Sequence, residues 1–280
     1  KGVTEESHPH QLVMTATPIP RTLAMAAYAD LDTSIIDELP PGREPVATIA
    51  LPETRRDEVV ERVRHACRDG QQAYWVCPLI EESEVLDYEA AEASYERLTR
   101  ELPELRVGLV HGRMRPAEKE RGMQAFKDGL IELLVATTVI EVGVDVPNAS
   151  LMLVENAERM GLSQLHQLRG RVGRGAQQSH CVLLYKPPLG ELARNRLAVL
   201  RDTNDGFLVA QRDLELRGPG ELLGTRQTGL PDYRIANLVR DAELMPQVQI
   251  AAEAMRSARP GTAKAVVTRW LGDAGRYGKV

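Results

Sequence analysis

Cysteine is scarce in this sequence, with three residues, Cys67, Cys77 and Cys181, among 280. They lie far apart, and no Cys-x-x-Cys pair or Cys/His cluster has metal-ligand spacing, which argues against a zinc-stapled or disulfide-framework fold. Cys77 and Cys181 sit in apolar runs and read as reduced core residues. Long apolar runs are also missing: none approaches the ~20 residues a membrane helix needs, and no signal-peptide pattern opens the chain. Excess positive charge is absent too. With 35 Lys and Arg against 40 Asp and Glu, the net charge is -5 and the pI about 5.8, which excludes a uniformly basic nucleic-acid coat but allows a local basic groove. No Gly-x-x-x-x-Gly-Lys-[Ser/Thr] phosphate loop occurs, since Gly278-Lys279 lacks both the hydroxyl residue and a following helix. These absences predict a soluble cytoplasmic protein with no membrane partner. Because the first residue is Lys1 and a structured motif begins almost at once, a piece of a longer polypeptide is expected.

What is present is a hydrophobic content of 43%, enough for one large domain with an appendage or for two smaller ones. Short apolar runs alternate with amphipathic stretches from Val46 onward, which predicts βαβ units, a parallel sheet and a doubly wound α/β layer. The expected strands are Val46–Leu51, Ala73–Pro78, Arg106–Val110, Leu130–Ala136, Ser150–Glu155 and Ser179–Tyr185. The expected helices are Thr54–Arg68, Tyr88–Leu102, Pro116–Asp128 and Ser163–Val172. Before them, Leu12 to Thr17 and Thr33 to Leu39 read as strands flanking a helix over Arg21 to Tyr28, and Pro40 to Pro45 reads as a linker. After Pro187-Pro188, a helix over Leu189 to Asp202 and a helical or extended segment over Phe207 to Leu216 form a hairpin. The Gly- and Pro-rich stretch from Arg217 to Pro231 is expected to be irregular, and Tyr233 to Arg256 and Ala263 to Leu271 to be helices.

Three stretches carry candidate chemistry. His166 to Gly175 packs three arginines and three glycines into ten residues. If helical, it would align Gln167, Arg171 and Arg174 on one face, with Gly170 and Gly173 leaving room for close approach by a backbone or a ligand. An anion, above all a phosphate, suits such a stretch better than a solvated basic turn does. Thr137-Thr138 ends an expected strand and leads through Gly143 and Asp145 to Pro147. At the carboxyl end of a strand, two hydroxyls can meet a phosphate, or they can simply cap a turn. Both stretches are expected near the same edge of the sheet. His111-Gly112-Arg113 also follows a strand and offers contacts to a nucleic-acid phosphate, although a lone His111 also suits a structural role.

Together these stretches resemble the second motor lobe of the superfamily 2 helicases. Thr15-Ala16-Thr17 is similar to motif III, Thr137 to Pro147 to motif V and Gln167 to Arg174 to motif VI. Within the superfamily, Met14 to Leu23, Asp37 to Gly42, Val76 to Ser83 and Asp213 to Gly229 resemble the RecG family of branch-migration helicases. The Mfd transcription-repair coupling translocases share motif III and the hairpin region but not Val76 to Ser83.

The resemblance implies a RecA-like parallel sheet with helices on both faces, followed by a helical hairpin, a loop and C-terminal helices. It divides the chain into a first-lobe remnant and interlobe linker (1–42), the second lobe (43–186), a translocation motif (187–231) and C-terminal helices (232–280). ATP and magnesium are implied, bound mainly by a first lobe outside this sequence. Gly143, Asp145, Arg171 and Arg174 would face the nucleotide, with Arg174 as an arginine finger and Gln167 orienting the site. Thr137, Thr138, His111, Gly112 and Arg113 would touch DNA, while Arg196, Arg217 and Gln227 would couple nucleotide turnover to movement. The implied partners are branched double-stranded DNA and the rest of the polypeptide, a first lobe and an N-terminal wedge domain, in a monomer on the bacterial nucleoid. Ser34 to Glu38 imitates a magnesium-binding strand end, but it follows motif III instead of preceding it, so Asp37 and Glu38 read as linker acids. An Mfd-type translocase and a non-catalytic DNA-binding module are the alternatives.

Overall fold

The structure is a computed structural model, and it describes residues 12, 14, 34, 36, 38, 43–78, 84–138, 146–175, 178–224 and 241–271. The chain divides into two compact units, one of residues 1–18 and 35–216, the other of residues 19–34 and 217–280. The first-lobe motif at Thr15 to Thr17, the helix expected over Arg21 to Tyr28, Asp37, Gly143, Asp145 and Gln227 lie outside the described residues.

The first unit holds a six-stranded, all-parallel sheet of β1 (Ala47–Pro52), β2 (Gln72–Val76), β3 (Val107–Val110), β4 (Leu133–Ala136), β5 (Ala149–Val154) and β6 (His180–Tyr185), in the order β1-β6-β5-β2-β4-β3. Four helices, α1 (Arg56–Arg68), α2 (Glu84–Glu101), α3 (Pro116–Lys127) and α4 (Leu162–Arg169), lie between strands. Two more, α5 (Glu191–Asp202) and α6 (Gly206–Gly224), follow β6.

Strand alternation sorts the core into two layers. Tyr74, Val76, Leu134, Ala136, Met152, Val154, Cys181 and Leu183 point to one face, against Phe126 of α3, Leu162, Leu165 and Leu168 of α4, and Leu197 and Leu200 of α5. Their neighbours Ala73, Trp75, Leu133, Val135, Leu153, Val182 and Leu184 point to the other, against Val59, Val60 and Val63 of α1, Leu98 of α2 and Leu102 just after it. A period of two with both faces covered is why the central strands read as continuous apolar runs. Each large side chain sealed this way, such as Trp75 or Phe126, contributes roughly 1.5–3 kcal/mol.

The expected α/β fold is present, with three local corrections. The helix expected to reach Val172 stops at Arg169, where Gly170 is the C-cap. The strand expected from Leu130 starts at Leu133, and Leu130 stands 56% exposed in the turn after α3. The irregular stretch expected from Arg217 is instead helical as far as Gly224, because α6 runs through Gly218-Pro219-Gly220. Proline's fixed φ is itself helical; what it removes is one backbone bond, and the helix continues past that gap.

In the second unit, a 3-10 turn at Ala242–Leu244 leads into α7 (Met245–Ala258), and α8 (Pro260–Leu271) follows. No helix among the described residues is long and apolar enough to cross a membrane.

Candidate functional site

Candidate residues gather at both edges of the sheet. At the carboxyl edge the strand ends are stitched together, Cys77 N donating to Ala136 O (2.8 Å), Thr137 N to Val110 O (3.3 Å) and Glu155 N to Val76 O (3.0 Å). His111 leaves β3 there, with its ring 5.3 Å from that of Tyr88 of α2 and its Nε2 3.7 Å from a Glu92 carboxylate oxygen. The Arg113 guanidinium lies over the same Tyr88 ring at 5.4 Å, and Lys119 Nζ donates to Gly112 O at 3.0 Å. A β-carbon on Gly112 would come within 2.7 Å of the Tyr88 hydroxyl, so this turn closes tightly over the tyrosine. Nothing in the sequence singles out Tyr88 or Lys119, since an aromatic in an acidic helix and a lysine in the first turns of another carry no motif. Thr137 is fully buried, and its hydroxyl has no partner among the described residues; Thr138 is half-buried beside it.

The arginine stretch lies at the opposite edge. α4 carries the chain back across the sheet, and residues 170–175 sit among the strand starts. Arg43, just before β1, donates to Gly170 O (3.2 Å) and Val172 O (3.4 Å). Gly173 adopts φ +80°, and a β-carbon there would stand 2.9 Å from Val46 Cγ2. A β-carbon on Gly175 would overlap the carbonyl oxygen of Pro147, which precedes β5. The glycines therefore do serve close approach, and the partner is the chain's own strand starts.

Two expectations are corrected here. Thr137 and the arginines do not share an edge: Thr137 follows the carboxyl end of β4, whereas Gly173 and Gly175 pack against Val46 and Pro147 at the starts of β1 and β5. Nor do Gln167, Arg171 and Arg174 continue one helical face, because the helix ends at Arg169. Gln167 lies in its last turn, Arg171 in the following turn and Arg174 beyond the left-handed Gly173. Gln167 and Arg171 are half-buried and Arg174 is exposed.

The first arginine of the stretch turns inward. Arg169 is 3% exposed, and its Nη1 donates to Leu200 O (2.8 Å), Thr203 O (2.7 Å) and Thr48 Oγ1 (3.4 Å). Its Nη2 lies 3.0 Å from His166 Nδ1. Burial, with the neighbouring Arg169 charge adding to it and Asp205 opposing it, pushes the His166 imidazole down to about 4. Neutral His166 is thus an acceptor for the guanidinium. In the hairpin, Arg196 Nη1 donates to Met160 O at 3.0 Å, while its buried Nε has no partner among the described residues. Arg217 lies on α6.

A polar cleft of about 300 Å³ opens at the carboxyl ends of β5 and β6, lined in part by Arg56, Ser94, Glu155 and Lys186. Arg56 is pinned within its wall, Nη1 2.9 Å from Glu101, Nε 3.5 Å from Glu155 and the guanidinium 5.0 Å from the Trp75 ring centre.

Two family models match the chain. One, described as Helicase conserved C-terminal domain, covers residues 54–176; the other, described as ATP-dependent DNA helicase RecG, domain 3, C-terminal, covers residues 203–268. The ATP-dependent DNA helicase RecG of Escherichia coli (strain K12) is 66% identical over 278 residues, which is 99% of this chain and 40% of that protein. That of Pasteurella multocida is 64% identical over 97% of this chain and 39% of its own length. Over nearly its whole length the chain is similar to the C-terminal part of RecG helicases. It spans 40% of the length of that Escherichia coli relative. A solved structure described as RecG bound to a three-way DNA junction superimposes with a TM-score of 0.66 at 45% identity, covering 86% of this chain and 32% of that one. The RecA-like parallel sheet with its helices is thus a fold this chain has in common with that RecG structure.

Proposed function

We propose that this chain is the second motor lobe and translocation motif of an ATP-dependent double-stranded DNA helicase that remodels branched DNA, such as stalled forks and Holliday junctions, in recombination and repair. The observation that carries the reading is the anchored stretch at the amino edge. Its backbone is locked to the starts of β1 and β5 while Arg174 stands exposed beyond it. A cationic group presented from a backbone that cannot recoil is what stabilisation of a charged transition state requires. The RecG identity supports this reading over an Mfd-type translocase or a non-catalytic module.

In this reading residues 1–42 are a first-lobe remnant and linker, 43–186 the second lobe, 187–231 the translocation motif and 232–280 C-terminal helices. ATP supplies, when bound between the lobes, the phosphoanhydride whose hydrolysis drives the motion. Arg174 acts as the arginine finger, Arg171 binds beside it, and Gln167 orients the site, with Gly143 and Asp145 completing the nucleotide side. Magnesium, in this reading, would be held mainly by the first lobe. On the carboxyl edge, Arg113, the Gly112 backbone and His111 meet the DNA backbone, with Thr137 and Thr138 at the next strand end. Lys119 fixes the Gly112 turn and adds charge to it. Arg196, Arg217 and Gln227 pass movement to the DNA. The working partners are the first lobe and wedge domain of the same polypeptide, acting as a monomer in the cytoplasm on the nucleoid.

The purified 280-residue chain is expected neither to hydrolyse ATP nor to unwind DNA, whereas the full-length gene product does both on a three-way junction. DNA-stimulated turnover by the isolated chain would overturn the half-site reading, and its absence from the full-length protein would overturn the motor.

A further inference from the structure

We propose that Arg169 is a positioning residue that locks the α5–α6 hairpin to the arginine stretch, so that the two move as one piece. The inference rests on the motor reading above and adds to it a residue to which that reading gives no role.

Three observations carry it. First, the Arg169 guanidinium grips the end of α5, taking Leu200 O and Thr203 O at 2.8 and 2.7 Å. Thr203 begins the turn between the hairpin helices, and Asp205 two residues later caps α6 through Phe207 N at 2.8 Å. Second, the grip is reciprocal. Arg196 of α5 holds Met160 O just ahead of α4, and Ser163 of α4 meets Asp213 of α6 at 3.4 Å. α4 is thereby tied to α5 near both its ends and to α6 once. Third, Arg169 is the last residue of α4, followed directly by Gly170 and Arg171. A displacement of the nucleotide-facing arginines therefore reaches the hairpin turn directly through the Arg169 side chain.

The chemistry explains why arginine is used. All four acceptors of Arg169 among the described residues are neutral, and two are carbonyls at the end of a helix, where a cation is favoured. An apolar residue would fill the space with less desolvation, so packing alone does not call for a buried cation. A planar fork, with Nη1 on the two carbonyls and Nη2 on His166 Nδ1, fixes both distance and angle between the two sides, which a flexible ammonium does not.

The test compares the full-length protein with its Arg169→Met and Arg169→Lys variants on a three-way junction. DNA-stimulated ATP turnover is expected to stay within about twofold. Junction remodelling per ATP is expected to fall by about tenfold in Arg169→Met and to recover in part in Arg169→Lys. Parallel loss of both activities, or loss of neither, overturns the proposal. Should Arg169→Met fail to fold, spin labels at exposed Gln164 and Arg201 in the otherwise unaltered protein decide the matter. Their separation is expected to hold within ~2 Å with and without nucleotide and DNA, and a change of ~5 Å, one helical turn, means that the hairpin slides on α4. Absence of ATP turnover in the unaltered protein would instead defeat the motor reading, and the labels would still report whether the lock exists.

Discussion

Gly175 packs so closely against Pro147 that a β-carbon on it would overlap the Pro147 carbonyl oxygen. Backbone meets backbone here, and neither side can rotate away as a side-chain tip would. The contact joins the end of the arginine stretch to the start of β5. Gly175→Ala is therefore expected to lower the stability of the 280-residue chain by about 1–3 kcal/mol, read from urea denaturation. A variant within error of wild type would mean that the two segments separate freely.

Gly173 faces two constraints at once, a φ of +80° and Val46 Cγ2 at 2.9 Å from the position of a β-carbon. The dihedral alone costs about 1–2 kcal/mol for a residue with a β-carbon. Gly173→Ala should exceed that figure in wild type and return to it in a Val46→Ala background, which removes the clash but not the dihedral. A double-mutant cycle on the melting free energies isolates the steric part.

His166 predicts a pH dependence. Its ordinary value is 6.5 and its folded value about 4, so between those limits the unfolded chain takes up a proton that the folded chain refuses. Stability is then full above pH 6.5, declines as pH falls toward 4 and levels off below. His166→Gln keeps an acceptor for Arg169 and removes the titration. Unfolding curves at intervals from pH 7 to 4 should be flatter for the variant than for the wild type across that window.

Arg56 ties α1 to α2 and to the end of β5 through Glu101 and Glu155, beneath the Trp75 ring. Its side chain is 11% exposed, so loss of the cation leaves two carboxylates without their shared partner. Arg56→Ala is expected to cost about 1.5–3 kcal/mol by thermal or chemical denaturation, and Arg56→Lys less.

Arg174 is the residue on which the proposed chemistry turns. In the full-length protein Arg174→Ala should lower the ATP turnover number by roughly 10³-fold or more, the scale of an arginine finger elsewhere. Affinity for the DNA junction should change little, since the DNA contacts are assigned to the other edge. Loss of junction binding in a band-shift assay together with turnover would reassign Arg174 to DNA.

Most of the sheet is legible in the residue types alone. β2, β4, β5 and β6 read as apolar runs because both of their faces are covered, and residue patterning bounds α1 and α3 to within a residue or two. Helix ends are harder to read. Gly170 and Gly173 stand three apart in a stretch that also fits a helix, yet the helix ends at Arg169 and the backbone turns left-handed at Gly173. Pro219 misleads in the other direction: it is a break by composition, yet it lies within α6. Tyr88, Lys119 and Arg43 carry no signal in the sequence because their contacts join separate elements of the fold or belong to no motif.

The sequence by itself determined the alternation of strands and helices, the resemblance to RecG helicases and the cluster of charge between His166 and Gly175, since each is written in residue types and their spacing. Only the tertiary structure decided which way each arginine faces. Arg169, Arg171 and Arg174 have the same chemistry, and nothing local distinguishes them. The end of α4 at Arg169 turns the first into the protein, against the hairpin, while Arg174, in the loop pinned by Arg43 and Val46, is exposed. Chain reversal through α4 also assigned the stretch to the amino edge, because an edge belongs to the direction in which the chain runs and not to the residues it carries.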